Sequence, residues 1–158
     1  MENSLAEGTK APEFTLQNTD GEKVSLSAFK GEKNVVLLFF PLAFSGTCTK
    51  ELCTTRDNMK LYNSLDAEVI GISIDSFFTL KEFKKAENLN FTLLSDFNKE
   101  ASQAYGVLND DYFGMKGVAQ RASFVVDKEG IIRHREVLDE SSNLPDFKAI
   151  QNVLKQFD

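Results

Sequence analysis

The sequence predicts an α/β fold: a central mixed β-sheet flanked by helices, with an N-terminal β-hairpin as an extension. Three observations support this prediction: two continuous apolar runs of strand length, amphipathic segments of helical period after them, and a late pair of strand patterns around a turn signal. The 158 residues suit one domain, because single domains commonly have about 100 to 200 residues. We find no internal repeat or low-complexity linker, so we expect residues 1–158 to form a single domain.

The first elements are short strands. Residues 13–16 and 23–27 lie on either side of an Asp-Gly turn signal at residues 20–21, a pattern that predicts a hairpin. Residues 35–40 read VVLLFF. Such a continuous apolar run is typical of a strand that is buried on both faces, so we expect this strand to lie inside the sheet.

Helix and strand patterns alternate in the middle of the chain. Between about residues 48 and 65, apolar residues recur at helical spacing with charged residues between them, which predicts a helix. Residues 68–75 predict a second buried strand, residues 80–86 a helix, and residues 91–96 a further strand. This order is typical of a βαβ unit.

The last third of the chain predicts an antiparallel hairpin and a closing helix. Residues 122–127 (ASFVVD) and 131–137 (IIRHREV) flank a Lys-Glu-Gly turn signal. Apolar residues at helical spacing between residues 147 and 154 predict the final helix. A βαβ half followed by a hairpin and a helix is the arrangement of the thioredoxin fold, which we therefore expect.

The charge balance argues against two classes of partner. A formal charge of −6 and a pI near 4.9 oppose binding to nucleic acid or to an anionic membrane, because both surfaces are negative. Residues 1–14 lack the basic and apolar regions of a secretory signal, and no apolar run reaches the roughly 18 residues of a membrane span. We expect a cytoplasmic protein.

The chain has two cysteines, Cys48 and Cys53, and one histidine, His134. Two cysteines are too few for a disulfide framework, and a reducing cytoplasm would keep them as thiols, so we expect them to be reactive. A structural zinc site usually takes about four Cys or His ligands; we therefore expect no metal site. His134 stands between two arginines in a strand of alternating polarity, and a solvated strand face explains it.

Cys48 lies where the strand of residues 35–40 passes into a helix. The free N–H groups and the positive dipole end of a first helical turn stabilise a thiolate, so we expect Cys48 to be ionised at neutral pH. The same N–H groups, with the Ser45 hydroxyl, could hold the oxygens of a peroxide and stabilise the charge that moves to the leaving oxygen.

Cys53 follows Cys48 by five residues. On an ideal helix this spacing separates the two Cα atoms by roughly 8.6 Å, whereas a disulfide needs less than about 7 Å. If the two sulfurs bond, the start of the helix must therefore unwind. A helical wheel puts Cys48 on the inward side and Cys53 on the outward side, which suits a pocketed nucleophile and a solvent-side partner. Cys53 could instead be a half-buried small hydrophobe without chemistry.

Pro41, Ser45 and Cys48 have the spacing Pro-x-x-x-Ser-x-x-Cys. In these residues the sequence resembles the peroxiredoxin family, and the resemblance extends over nearly the whole chain. The segment FFPLAFSGTC is similar to the AhpE-like branch, and a second cysteine five residues on is similar to the bacterioferritin comigratory protein branch, in which it resolves intramolecularly. Ser45 stands where Thr is commoner; its hydroxyl makes the same hydrogen bonds with a less constrained rotamer.

The resemblance implies a thiol peroxidase of antioxidant defence that works without a cofactor. The Cys48 thiolate would displace water or alcohol from a hydroperoxide and become a sulfenic acid, and Cys53 would condense with it as a disulfide. Arg121 resembles the family's strand-borne arginine, which would keep Cys48 ionised and polarise the peroxide, while Glu51 would hold that guanidinium. Pro41 would shield the sulfenic acid. Thioredoxin or glutaredoxin would restore the thiols of a monomer or homodimer.

Several alternatives stay open from the sequence. Arg56, on the helix itself, competes with Arg121 as the cation beside Cys48, and Glu51 could simply be a first-turn acid that the helix dipole favours. A thiol–disulfide oxidoreductase usually has Cys-x-x-Cys, and a Cys–His hydrolase would need His134 at the thiol. A binding role, as a metallochaperone or a redox-dependent holdase, is the third alternative.

Overall fold

A computed structural model describes residues 5–140 and 142–157 of the chain; part of the N-terminal segment considered above for a leader lies outside these residues. The predicted N-terminal hairpin is confirmed. Its strands, Thr15–Asn18 (β1) and Lys23–Ser25 (β2), pair antiparallel, and a short 3₁₀ helix, Leu26–Phe29, follows them. The turn between the strands needs Gly21, whose φ of 77° is in the left-handed region that glycine adopts without strain.

Within the described residues, seven further strands and five α-helices follow. In chain order they are Asn34–Phe39 (β3), Gly46–Asp57 (α1), Met59–Ser64 (α2), Ala67–Ser73 (β4), Phe77–Ala86 (α3), Thr92–Ser95 (β5), Glu100–Ala104 (α4), Leu108–Asn109 (β6), Val118–Ala119 (β7), Ala122–Val126 (β8), Ile132–Val137 (β9) and Phe147–Lys155 (α5).

In the part of the chain that the structure describes, the main sheet has seven strands in the order β2-β1-β5-β4-β3-β8-β9. β3, β4 and β5 run parallel, as the βαβ pattern predicts, while β8 pairs antiparallel with both β3 and β9. The C-terminal hairpin is therefore confirmed. β3 lies between β4 and β8, which confirms its interior position, and the parallel strands bring their carboxyl ends to one edge of the sheet.

Two apolar clusters cover the two faces of this sheet. Successive side chains of β3 point to opposite faces, so Leu37 and Phe39 join one cluster while Val36 and Leu38 join the other. The second cluster contains buried side chains of α1, α2, α3 and α5, and the first contains Ala101 of α4. Burial on both faces explains why the sequence of β3 is apolar without alternation.

The structure corrects three details of the sequence prediction. The helix expected over residues 48–65 is two helices, because Asn58 leaves helical geometry (φ −110°, ψ 10°) and its side chain donates to the carbonyl of Thr54. The first of them begins earlier, at Gly46. α4 and the β6–β7 pair were not predicted, since elements of two to five residues are too short to display a period.

Candidate active site

The loop between β3 and α1 is attached to the neighbouring parallel strand. The backbone N–H of Ala43 donates to Asp75 Oδ2 at 2.8 Å, and the Ser73 hydroxyl donates to the same oxygen at 2.6 Å. Pro41 is buried directly after β3, at the start of this loop. The strand predicted to reach residue 75 ends at Ser73, and Asp75 accepts the loop's hydrogen bond from beyond the strand end.

Ser45 is the N-cap of α1, with an extended backbone (φ −75°, ψ 155°). Its side chain does not cap the helix; the hydroxyl donates to the carbonyl of Leu42 at 2.8 Å. Because that bond uses the hydroxyl hydrogen, the oxygen is oriented to accept a hydrogen bond from a substrate O–H. The preceding residue, Phe44, has a φ of 70°, an uncommon backbone state for a non-glycine residue that often marks functional loops.

Cys48 lies in the first turn of α1, as predicted, but it is completely buried (0% exposed). It belongs to the apolar cluster on the helix-rich face of the sheet, together with Leu52. The sequence led us to expect a thiol in a pocket that an oxidant can reach. A water-sized molecule does not touch this side chain in the described conformation, so access requires movement of the surrounding loop.

Arg121 contacts both predicted partners. Its Nη1 donates to Cys48 Sγ at 3.3 Å and to Glu51 Oε1 at 2.6 Å. The topology explains this contact, because Arg121 immediately precedes β8, whose first residue, Ala122, pairs with Phe39 at the end of β3. The end of β3 leads into α1. Glu51 follows Cys48 by three residues and therefore lies on the same face of that helix.

The carboxyl group of Glu51 is completely buried (0% exposed). Burial raises the pKa of Glu51 to about 7; Arg121 opposes this rise, and the negative charge of Glu136 adds to it. Glu51 Oε2 has no hydrogen-bond partner among the described residues. A first-turn acid that merely complements the helix dipole would be solvated, so the structure rejects that alternative for Glu51.

Cys53 is half-buried rather than open to solvent. Its Sγ–H donates to Glu87 Oε1 at 3.4 Å, and Glu87 is the C-cap residue of α3. Burial raises the pKa of the Cys53 thiol, and the hydrogen bond to Glu87 raises it further. The predicted solvent-side position is therefore corrected: Cys53 packs at the junction of α1 and α3. Both cysteines are free thiols and lie in one continuous helix.

Arg56 is associated with Cys53 rather than with Cys48. Its Nη1 donates to the carbonyl of Glu87 at 2.6 Å, and its Nε donates to Asp57 at 2.9 Å. Between the two arginines that the sequence offered, the structure therefore selects Arg121 as the cation at Cys48.

His134 lies on β9 opposite Val125, farther along β8 than the end that carries Arg121. It is half-buried, and its Nε2 is buried without a partner in the described part of the chain. The expected solvated strand face is thus wrong for this side chain. Its place in the sheet gives no support to a Cys–His hydrolase.

Sequence reasoning did not identify Asp75, Glu87 or Glu136 as parts of the site. Asp75 had a usable signal, since polar residues just beyond the carboxyl ends of parallel strands commonly serve a functional site. Glu87 and Glu136 had none, because their relation to the cysteines depends on how α3 and β9 pack.

The described residues, 5–140 and 142–157, contain no group of three or more His, Cys, Asp or Glu side chains that could hold a metal ion. Within the same residues, none of the helices has the length and apolar character that crossing a membrane requires.

Known proteins that are similar to this chain agree with the interpretation of its geometry. A sequence profile of the AhpC/TSA family matches residues 8–135. Alkyl hydroperoxide reductase E of Mycobacterium tuberculosis is 42% identical over 132 residues, which are 82% of this chain and 84% of that protein. Peroxiredoxin Bcp of Escherichia coli is 37% identical over 157 residues, 98% of each chain.

A crystal structure of a reduced 2-Cys peroxiredoxin from Plasmodium vivax matches the fold with a TM-score of 0.84 and 31% identity, over 94% of this chain and 80% of the other. These similarities confirm the thioredoxin fold and the resemblance to the AhpE-like and Bcp branches. Since the family profile covers most of the chain and both relatives align over most of their own length, the chain belongs to the AhpC/TSA family.

Proposed function

We propose that this chain, a thiol peroxidase by its family, reduces hydrogen peroxide and organic hydroperoxides with Cys48 as the nucleophile. The observation that carries the proposal is the 3.3 Å contact between Arg121 Nη1 and Cys48 Sγ in the first turn of α1. A guanidinium at this distance favours the thiolate, which is the form of cysteine that attacks. The names of the relatives, a hydroperoxide reductase and peroxiredoxins, support the same substrate class.

The first step oxidises Cys48. The thiolate sulfur attacks the terminal oxygen of ROOH, the O–O bond breaks, and the leaving oxygen takes a proton and departs as ROH; Cys48 becomes a sulfenic acid. Ser45 accepts a hydrogen bond from the peroxide hydroxyl, and Arg121 stabilises the charge that develops on the leaving oxygen. Pro41, buried at the loop start, shields the sulfenic acid from water.

The hydroperoxide enters through the loop before α1. Cys48 is buried, whereas Phe44 is 54% exposed and Gly46 is exposed as well. Movement of residues 42–45 and of the first residues of α1 therefore uncovers the sulfur without disturbing the sheet. If a small alkylating reagent fails to modify Cys48 in the native protein, this route of access is wrong.

The second step uses Cys53. Its thiol condenses with the Cys48 sulfenic acid, which forms the disulfide and releases water, and α1 unwinds to bring the two sulfurs together. An external dithiol, thioredoxin or glutaredoxin, then reduces the disulfide by exchange. The support for this step is that both cysteines lie in α1 and remain free thiols in the reduced chain.

Intact mass after one equivalent of peroxide tests both steps. In the wild type, the disulfide removes two hydrogens and the mass falls by about 2 Da. Cys53→Ser, which keeps the nucleophile, gains about 16 Da as a sulfenic acid or forms a dimer. Cys48→Ser does not react. An unchanged wild-type mass would reject the peroxidase, and a wild-type gain of about 16 Da would reject Cys53 as the resolving residue.

Assembly, compartment and domain organisation complete the proposal. The protein acts as a monomer or as a homodimer; exposed aromatic side chains at the active-site edge favour the homodimer. Its free cysteines suit a reducing compartment such as the cytoplasm. Residues 1–158 are one domain, an assignment supported by the single main sheet that both apolar clusters cover.

A further inference from the structure

Two acidic side chains share one guanidinium in the buried site. Arg121 Nη1 contacts Glu51 Oε1 at 2.6 Å and Cys48 Sγ at 3.3 Å. All three residues are at most 1% exposed, so water contributes little to the solvation of any charge they carry. Their ionisation states are therefore coupled.

The net charge of the three buried groups determines which of their ionisation states are energetically favourable. With Arg121 positive, one ionised acid makes the three groups neutral, whereas ionisation of both Cys48 and Glu51 buries a net negative charge, which is costly without solvent. Glu51 Oε2 has no hydrogen-bond partner among the described residues. A fully ionised carboxylate would leave that oxygen as a buried, unsatisfied acceptor, whereas a carboxylic acid concentrates less charge there.

We propose that Cys48 and Glu51 share one proton, so that the nucleophilic thiolate coexists with a protonated Glu51 carboxyl group. In this state Arg121 directs its charge to the sulfur, and Glu51 accepts its hydrogen bond through the carbonyl oxygen. Glu51 is then a positioning and proton-holding residue. It is more than a fixed anionic anchor for the guanidinium.

The surroundings of Glu51 agree with this assignment. Besides Arg121 at the start of β8, the charged group that acts on Glu51 is Glu136 of β9, which disfavours a second negative charge. Glu136 is itself held in place, since its Oε1 accepts the backbone N–H of Asp146 at 2.9 Å. The raised pKa of Glu51, to about 7, is in the same direction.

The shared proton also balances the oxidation step, a consequence that rests on the proposed function of Cys48. Before attack, the site holds a thiolate, a guanidinium and a carboxylic acid, with no net charge. The sulfur takes the terminal OH of the hydroperoxide, the O–O bond breaks, and the proton of Glu51 ends on the leaving oxygen as ROH. Cys48 is then a neutral sulfenic acid and Glu51 a carboxylate paired with Arg121, again with no net charge.

Infrared spectroscopy of the reduced protein at neutral pH tests the proposal without any peroxide. The spectrum of each variant is subtracted from that of the wild type. We expect the wild type to show the carbonyl band of a buried carboxylic acid together with the ultraviolet absorbance of a thiolate. Glu51→Gln should lose the carboxylic acid band and keep the thiolate absorbance. Cys48→Ser should lose both, because Glu51 then becomes the sole ionised acid of the three groups.

Glu100→Gln is the matched control, because Glu100 is an exposed acid on α4; both signals should persist in it. Glu51→Gln resembles the protonated carboxyl group but has no proton to give, so the acid limb of the pH profile for peroxide consumption should stay in place while the rate falls. A wild type without the carboxylic acid band, or a band that persists in Cys48→Ser, would overturn the proton-sharing proposal. If the infrared result is as expected but peroxide is not consumed, the proposed function fails and the shared proton stands.

Discussion

The three buried residues of the site affect one another's charge; they are Cys48, Glu51 and Arg121. Each is an unfavourable residue to bury as a charge, and the three are at most 1% exposed; under the proton-sharing proposal, their charges compensate one another. Cys53 and Glu87 form a second, looser pair at 3.4 Å on the other side of the same helix. At the scale of the residue, we therefore expect substitutions to change the pH dependence of stability and the reactivity of the thiols.

The pH dependence of stability is the first prediction. The folded state raises the pKa of Glu51 to about 7 from 4.5. The stability that Glu51 contributes is therefore fully present below about pH 4.5 and is lost as the pH rises through about 7. By linkage, this loss is about 3 kcal/mol in unfolding free energy. Glu51→Gln should therefore gain stability relative to wild type by up to about 3 kcal/mol between pH 4.5 and 8.

Urea unfolding of the reduced proteins across this pH range measures the difference. Parallel stability curves for wild type and Glu51→Gln would contradict the prediction. The exposed variant Glu100→Gln should follow the wild type at every pH.

The reactivity of Cys53 gives the second prediction. Burial and the hydrogen bond to Glu87 both raise the pKa of this thiol, so less thiolate is present at neutral pH. In a Cys48→Ser background, Glu87→Gln should increase the rate of Cys53 alkylation several-fold. Glu82→Gln, on the exposed side of α3, is the control and should not change it. Equal rates in all three proteins would show that Glu87 does not restrain the thiol.

At the scale of the element, α1 has two attachments. Its first turns are held through Cys48 and Glu51 to Arg121, while its later turns are held through Cys53 and Arg56 to Glu87. Under the proton-sharing proposal, oxidation of Cys48 removes the thiolate charge and so weakens the contact between Cys48 and Arg121, while Glu51 becomes a carboxylate that stays paired with Arg121. The start of α1 is therefore the part expected to unwind, which is also the part that a disulfide requires.

Helix stability should control the rate of disulfide formation. At Gly46, a Cβ atom would meet open space, so Gly46→Ala stabilises the first turn by about 0.5 to 1 kcal/mol. It should slow the conversion of sulfenic acid to disulfide roughly two- to fivefold. Lys50→Gly, at an exposed position of α1, weakens the helix and should accelerate the same step. Rapid mixing with peroxide, followed by trapping of the sulfenic acid, separates this step from the initial attack; the same rate in both variants would mean that unwinding does not limit resolution.

At the scale of the molecule, apolar side chains are exposed at the edge that carries the active site. Phe44, Phe78 and Phe97 follow the carboxyl ends of β3, β4 and β5, and they are 54%, 70% and 62% exposed. Large apolar side chains that are exposed along one edge are typical of an association surface. Because a second copy of the chain presents the same surface, a two-fold homodimer can cover both.

Self-association through this edge is the fourth prediction. Phe78→Ser should weaken the homodimer at least several-fold, as measured by sedimentation at a series of protein concentrations. Lys81→Ser, at another exposed position on α3, should leave the association unchanged. A wild type that stays monomeric at all concentrations would contradict the prediction.

The sequence by itself determined the order of the main elements and the interior strand, and it led to the cysteine that we propose as the nucleophile. Continuous apolar composition over residues 35–40 and the Pro-x-x-x-Ser-x-x-Cys spacing are local signals, and local signals survive in a linear pattern. The sequence favoured Arg121 over Arg56 as the cation beside Cys48, but it could not decide between them. The choice depends on which of the two guanidinium groups the fold brings to the sulfur.

Only the tertiary structure decided what surrounds each sulfur. Pairing of β8 with β3 brings Arg121 to Cys48, and packing of α3 against α1 brings Glu87 to Cys53. Burial is also a property of the whole molecule, and it changed an expected accessible thiol into a covered one and an ordinary carboxyl group into one with a raised pKa. The physical reason is that electrostatic energies depend on distance through space and on the exclusion of water, and neither quantity is determined by separation along the chain.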